Sequence, residues 1–96
     1  MAAEAKLKEE CRDYITHALD GRLVNIKALS WNGFPDSLLL VPQLQPVFIE
    51  FKRHGKKPRK NQTKWGEWLL GNGFKYWLVN DWDLFLDFVN NYTENV

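Results

Sequence analysis

Two carboxylates and a lysine stand at spacings suited to work on a charged ester. Asp36 follows Pro35, and Glu50-Phe51-Lys52 comes after an apolar stretch, a short join and a second apolar stretch. Carboxylate oxygens collect a hard cation, and an ammonium group beside them can meet a phosphate. A cation held there offsets phosphodiester charge and lowers the pKa of a bound water. That is the minimal equipment for metal-dependent hydrolysis.

The residues between decide whether these groups meet. Residues 37–41 and Val47–Phe51 are rich in strand formers, and Pro42 and Pro46 bracket a loop between them. An antiparallel hairpin with Val41 opposite Val47 sets Leu39 against Ile49, Leu38 against Glu50 and Asp36 against Lys52. Alternation then places Asp36, Leu38, Glu50 and Lys52 on one face. Leu39, Val41, Val47, Ile49 and Phe51 form the other, core-facing side. In this register Asp36 and Glu50 are diagonal neighbours with backbones roughly 7–8 Å apart, close enough to share one Mg²⁺. A slip of one residue would turn all three charges into the core, so the apolar pattern enforces the arrangement. The plain alternative is a set of solvated charges on an exposed hairpin.

Ninety-six residues support one domain, 1–96, with 45% hydrophobic and 26% charged side chains, a globular rather than disordered balance. The net charge of +1 conceals an asymmetry. Lys52, Arg53, Lys56, Lys57, Arg59, Lys60 and Lys64 are seven of the thirteen basic residues, whereas the chain beyond Lys75 carries only acids. Such a run predicts contact with a polyanion, and Lys27 on the first strand joins the basic residues assigned to it. A single cysteine, Cys11, excludes an intrachain disulfide, and no Cys/His cluster has zinc-site spacing. Cys11 reads as a buried helix residue. With no long apolar run and no leader pattern, the expectation is a soluble intracellular protein with no membrane partner.

The first helix is expected over 3–19, with Leu7, Cys11, Tyr14, Ile15, Ala18 and Leu19 as its apolar stripe. Glu9 points away from that stripe, Glu4 lies on it at the helix tip, and Glu10 borders it. Glu10 is therefore the candidate third carboxylate. A first strand is expected over 23–29. After the basic segment, Trp65, Trp68, Leu69 and Asn72 mark one face of a second helix, with both tryptophans in the core. A fourth strand over 74–79 and a last helix capped by Asp81 or Asp83 complete the order α-β-β-β-α-β-α. Trp31, in the loop before Asp36, can stack on an unpaired base or pack on its own core. Trp77, Trp82, Phe85 and Phe88 give the C-terminal part more aromatic surface than a small monomer easily buries, which points to a homodimer through them.

Gly33-Phe34-Pro35-Asp36, the leucine-rich strand, Phe48-Ile49-Glu50-Phe51-Lys52, Gly55-Lys56-Lys57, Gln62 and the following helix and strand resemble the VRR-NUC domain. This is the virus-type replication-repair nuclease branch of the PD-(D/E)XK superfamily. The resemblance covers nearly the whole chain and is most specific from Gly33 to Gln62. It implies an α/β, restriction-endonuclease-like core with a mixed sheet flanked by helices. It also implies a Mg²⁺- or Mn²⁺-dependent nuclease acting in DNA repair, with no small-molecule cofactor.

By the same resemblance, Asp36 and Glu50 match the metal-binding acids, and the main-chain carbonyl of Phe51 is a further ligand. Lys52 matches the lysine that orients the attacking water or stabilises charge on the phosphate. Gln62 matches the glutamine that opens the helix after the basic loop. Glu10 matches the acid of the first helix, with Glu9 as its rival. The chain departs from the family at Phe51, where leucine is common, and at Arg59-Lys60-Asn61, which replaces a Ser/Thr-Pro helix opening. Small stand-alone members look like dimeric junction-cleaving nucleases. The implied substrate is thus branched DNA such as a four-way (Holliday) junction, cut in the cytoplasm of a bacterial or phage-infected host. Two alternatives stay open: a DNA-binding module that keeps the fold without cleaving, and a sequence-specific restriction-type nuclease.

Overall fold

The structure is a computed structural model and describes residues 3–28 and 30–94. These form helix α1 (Ala3–Ala18), strands β1 (Arg22–Asn25), β2 (Ser37–Leu40) and β3 (Val47–Phe51), helix α2 (Lys60–Gly71), strand β4 (Lys75–Val79) and helix α3 (Trp82–Glu94). The strands make one mixed sheet in the order β1-β2-β3-β4. β1, β2 and β3 run antiparallel to one another in turn, and β4 pairs with β3 in parallel after the α2 crossover. The element order and mixed sheet are those read from the sequence. β1 is shorter than expected, so Lys27 lies beyond it; Leu29, at the expected strand end, is outside the described residues.

One face of the sheet meets α1 and α3. Cys11 and Ile15 from α1, Leu39, Val47, Ile49, Phe51 and Val79 from the sheet, and Phe85 and Val89 from α3 close a single core. Burial recurs at Phe85, Val89 and Tyr92, the three-to-four spacing of one helical face. Asp81 caps α3, its Oδ1 accepting the Leu84 N–H at 2.8 Å. The other face carries Phe48, Glu50 and Tyr76 and is covered by α2. Contact there is so close that a Cβ on Gly66 would stand 2.6 Å from the Tyr76 ring.

Three expectations need correction. The β2–β3 register pairs Ser37 with Ile49, Leu38 with Phe48 and Leu39 with Val47, two residues from the expected one. The cause is a turn in which the Leu44 N–H donates to the Val41 carbonyl at 3.1 Å, removing Val41 from the ladder. A shift of two preserves every face, because the side-chain period is two. The second correction concerns α2. Its buried positions are Gln62, Gly66 and Leu69, whereas Trp68 is 53% exposed and Trp65 half-buried, so these tryptophans are not core. The third concerns the C-terminal aromatics. Phe85 and Trp77 are buried, and Trp82 and Phe88 pack against the core, so these rings are taken up in covering the chain's own sheet.

Candidate functional site

Asp36 sits immediately before β2, its carbonyl accepting the Ile26 N–H at 2.8 Å. The β2–β3 ladder ends at the Ser37–Ile49 pair, so Asp36 and Glu50 both adjoin its last rung, and Glu50 feels the Asp36 charge. The preceding loop is shaped by Gly33. Its φ of +88° is left-handed, and a Cβ there would lie 2.8 Å from the backbone of Asn61 on α2.

Glu50 is 4% exposed and Lys52 7%, although both are ionisable. Lys52 Nζ lies 3.9 Å from Glu50 Oε2, and the Lys52 N–H donates to the Val79 carbonyl at 2.9 Å, fixing the end of β3 against β4. Gln62 Nε2 donates to the same Glu50 oxygen at 3.2 Å, while Gln62 Oε1 accepts the Arg59 N–H at 2.8 Å. Arg59 stands at the N-cap, where the usual short polar side chain is missing, and Gln62 satisfies its N–H from within the helix. Ser37 Oγ donates to Asp36 Oδ1 at 3.0 Å.

Burial, then the Asp36 charge, pushes the Glu50 carboxyl up to about 7; Lys52 and Arg59 pull it down, and Glu4 adds to the rise. Tyr76, opposite Phe48 on β4, has its hydroxyl pushed up to about 12 by burial and then by Glu50 and Asp36. It remains a protonated phenol beside two acids.

The structure does not bring Glu10 to this site. Glu10 is exposed, and on α1 it stands beside Cys11, whose thiol is pushed up to about 12 by burial and by the Glu10 charge. Glu9 is also exposed. The acid of α1 felt by Glu50 is Glu4, and Lys8, one turn on, reaches Asp36 Oδ2 at 4.0 Å and lies 5.9 Å from the Phe51 ring centre. Sequence reasoning missed Lys8 and Tyr76. A signal for Lys8 existed: Glu4 and Lys8 stand seven and three residues before buried Cys11 and share its helical face.

The basic residues divide. Arg53 and Lys56 line a cavity of about 430 Å³ with Glu4, Ala5 and Lys8, beside the acids. Lys64 lines a separate aromatic cavity. Lys27, Lys57, Arg59 and Lys60 lie outside both. Among the described residues no group of three or more His, Cys, Asp or Glu side chains is placed to hold a metal ion, so the acid pair stands without a third protein carboxylate. Nor does any helix among them have the length and apolarity to cross a membrane.

No family model matches the chain, and no curated protein matches it in sequence. Solved structures do match. One described as a VRR_NUC domain aligns with a TM-score of 0.86 at 20% identity, covering 96% of this chain and 99% of that one. Another, described as a VRR_NUC domain protein, aligns with a TM-score of 0.73 at 11% identity, covering 98% and 90%. At such identities the likeness is one of fold, and it runs the length of the chain.

Proposed function

We propose that this chain, which has the VRR-NUC fold, is a metal-dependent nuclease that hydrolyses phosphodiester bonds in DNA and selects branched structures. The observation that carries this reading is a buried Glu50 within the field of Asp36, with Lys52 and Gln62 both directed at one Glu50 oxygen. The donor set fits a hard divalent cation. Burial and repulsion from Asp36 hold the Glu50 carboxyl at about 7, a penalty on its charged form that Mg²⁺ or Mn²⁺ between the acids would relieve. Mg²⁺ commonly uses one or two carboxylates and fills its shell with water and substrate phosphate, so a third protein acid is not required. Asp36, Glu50 and the Phe51 carbonyl would hold it.

When bound, the ion supplies a water of lowered pKa and offsets phosphate charge. The chain's own groups do the rest. Lys52, buried and hence weakly screened, presents a fixed positive charge to a phosphate that gains charge during attack. Gln62 fixes the Glu50 carboxylate. Lys8, Arg53 and Lys56 stand where the flanking phosphates would pass, and the remaining basic residues add contacts that carry no sequence information. Selection therefore rests on DNA shape. A four-way junction offers two equivalent strands and one chain offers one site, so paired cleavage calls for a homodimer.

The test is a panel of four-way junctions, flaps, splayed arms and linear duplexes incubated with Mg²⁺, Mn²⁺ or EDTA. Cleavage of branched over linear DNA is expected, lost in EDTA and in Asp36→Ala or Glu50→Ala. Wild-type rates in Glu50→Ala would overturn the assignment. Binding without cleavage in either metal would replace it with a DNA-binding module.

A further inference from the structure

We infer that the aromatic cavity between the 30–35 loop and α2 binds one unpaired nucleotide of the DNA, its base stacked on Trp31. This rests on the reading that DNA is the substrate and narrows its class: branched DNA with unpaired nucleotides beside the cut.

The cavity measures about 360 Å³ and is lined by Trp31, Asn32, Asn61, Lys64, Trp65 and Trp68. That is within the range of ordinary small-ligand sites. Trp31 is 62% exposed and Trp68 53%, unusual for the largest apolar side chain. Both rings are nonetheless positioned. Trp31 meets Trp65 edge to face at 5.6 Å, and Trp65 meets Trp68 at 5.7 Å. Phe34 supports Trp65 from below at 5.0 Å and itself rests on Phe48. The left-handed Gly33 and its tight approach to Asn61 hold the loop against α2. The shelf is therefore preformed.

The chemistry of the lining selects the occupant. Apolar ring faces meet a planar heterocycle, two side-chain amides offer donors and acceptors to its edge, and Lys64 offers a cation to its phosphate. Among the described residues no carboxylate lines the cavity. A second copy of this chain fits less well, since a twofold contact made by one repeated patch would turn Lys64 toward its own equivalent. Position also favours a nucleotide. The loop that carries Trp31 ends in Asp36, and Asn61 precedes the Gln62 that holds Glu50. A nucleotide held there belongs to a strand already beside the acids.

The experiment measures binding in EDTA, where cleavage does not intervene. Probes are a single-stranded oligonucleotide with one 2-aminopurine, a duplex with a single unpaired 2-aminopurine, and a fully paired duplex. Stacking quenches 2-aminopurine, so the first two should be quenched by the wild-type protein. Trp31→Ala should weaken binding of both by about tenfold or more, change the paired duplex less than about twofold, and be rescued by Trp31→Phe. Trp68→Ala should act in the same direction, with thermal melts showing that both variants fold. Equal losses on paired and unpaired DNA would overturn the proposal. So would retained quenching in Trp31→Ala with a change from dimer to monomer in the ultracentrifuge. Failure of the nuclease reading is separately visible: Trp31-dependent quenching with no cleavage in Mg²⁺ would refute catalysis and leave the nucleotide site standing.

Discussion

Gln62 holds Glu50 by one end of its amide and the start of α2 by the other, through hydrogen bonds of 3.2 and 2.8 Å. An amide anchored at both ends cannot rotate, so it dictates the orientation of the carboxylate. Partners of this kind around metal ligands are commonly worth roughly 10–100-fold in metal affinity or activity. Gln62→Ala should therefore lower Mg²⁺-dependent cleavage by about that factor and cost α2 about 1 kcal/mol for its unpaired N–H. A Mg²⁺ titration of cleavage and a thermal melt read the two effects. Wild-type metal dependence in this variant would show that Glu50 needs no such restraint.

The acids of α1 separate by position. Glu4 contributes to the field at Glu50, whereas Glu10 is exposed beside Cys11. Glu4→Gln should thus shift the metal concentration needed for cleavage, and Glu10→Gln should leave it unchanged. The reverse ranking would mean that α1 sits differently over the end of the sheet.

Glu50 keeps its proton to about pH 7 in the folded chain, against an ordinary value of 4.5. Between those values the folded state binds more protons than the unfolded state. Stability of the metal-free protein is then greatest below about pH 4.5 as far as this group is concerned, falls as pH rises through 7 and levels off above, a span on the order of 3 kcal/mol. Urea melts at about pH 5 and about pH 8 should show the drop, and Glu50→Gln should abolish its share. Adding Mg²⁺ near neutral pH should release protons, because the ion binds the carboxylate form.

Under the proposed function, the basic residues should set the salt response. Replacing Lys56, Lys57 and Lys60 with Ala should weaken binding to all DNA structures alike. It should also flatten the plot of log affinity against log salt by up to about 2–3, close to one unit for each phosphate no longer neutralised. A weakening confined to one base sequence would indicate base readout instead.

How much of this was legible in the chain follows from which patterns are periodic. The faces of β2 and β3 survive a two-residue change of register, so Asp36, Glu50 and Lys52 could be grouped before their pairing was known. The acid of α1 could not be chosen by angle around the helix. Height along it also counts: in the first turns, Glu4 is felt at Glu50 and Lys8 reaches Asp36. The buried side of α2 was hidden for another reason. It is made of Gln62, Gly66 and Leu69, a polar residue, one without a side chain and a lone leucine, while the tryptophans that dominate any hydrophobic pattern lie outside. Gly66 is there because Tyr76 occupies the space of a Cβ, a meeting of distant residues that no local pattern records.

The shared core of α1 and α3 has a consequence for the order of events during synthesis. Cys11 and Ile15 are made before the rest of the core, yet the surface they bury against includes Phe85 and Val89, and the Tyr92 hydroxyl donates to the Gln45 carbonyl across the molecule. β3 likewise waits for β4, which reaches it only after the crossover helix. Pairings this distant close late, since the chain must be brought together before they return any stabilisation. A nascent chain that already carries both acids and Lys52 still lacks β4, which pairs with β3, and α3, which closes the core. The proposed site is thereby completed only after α3 has been made, and a product truncated before it would carry the residues without the frame that groups them.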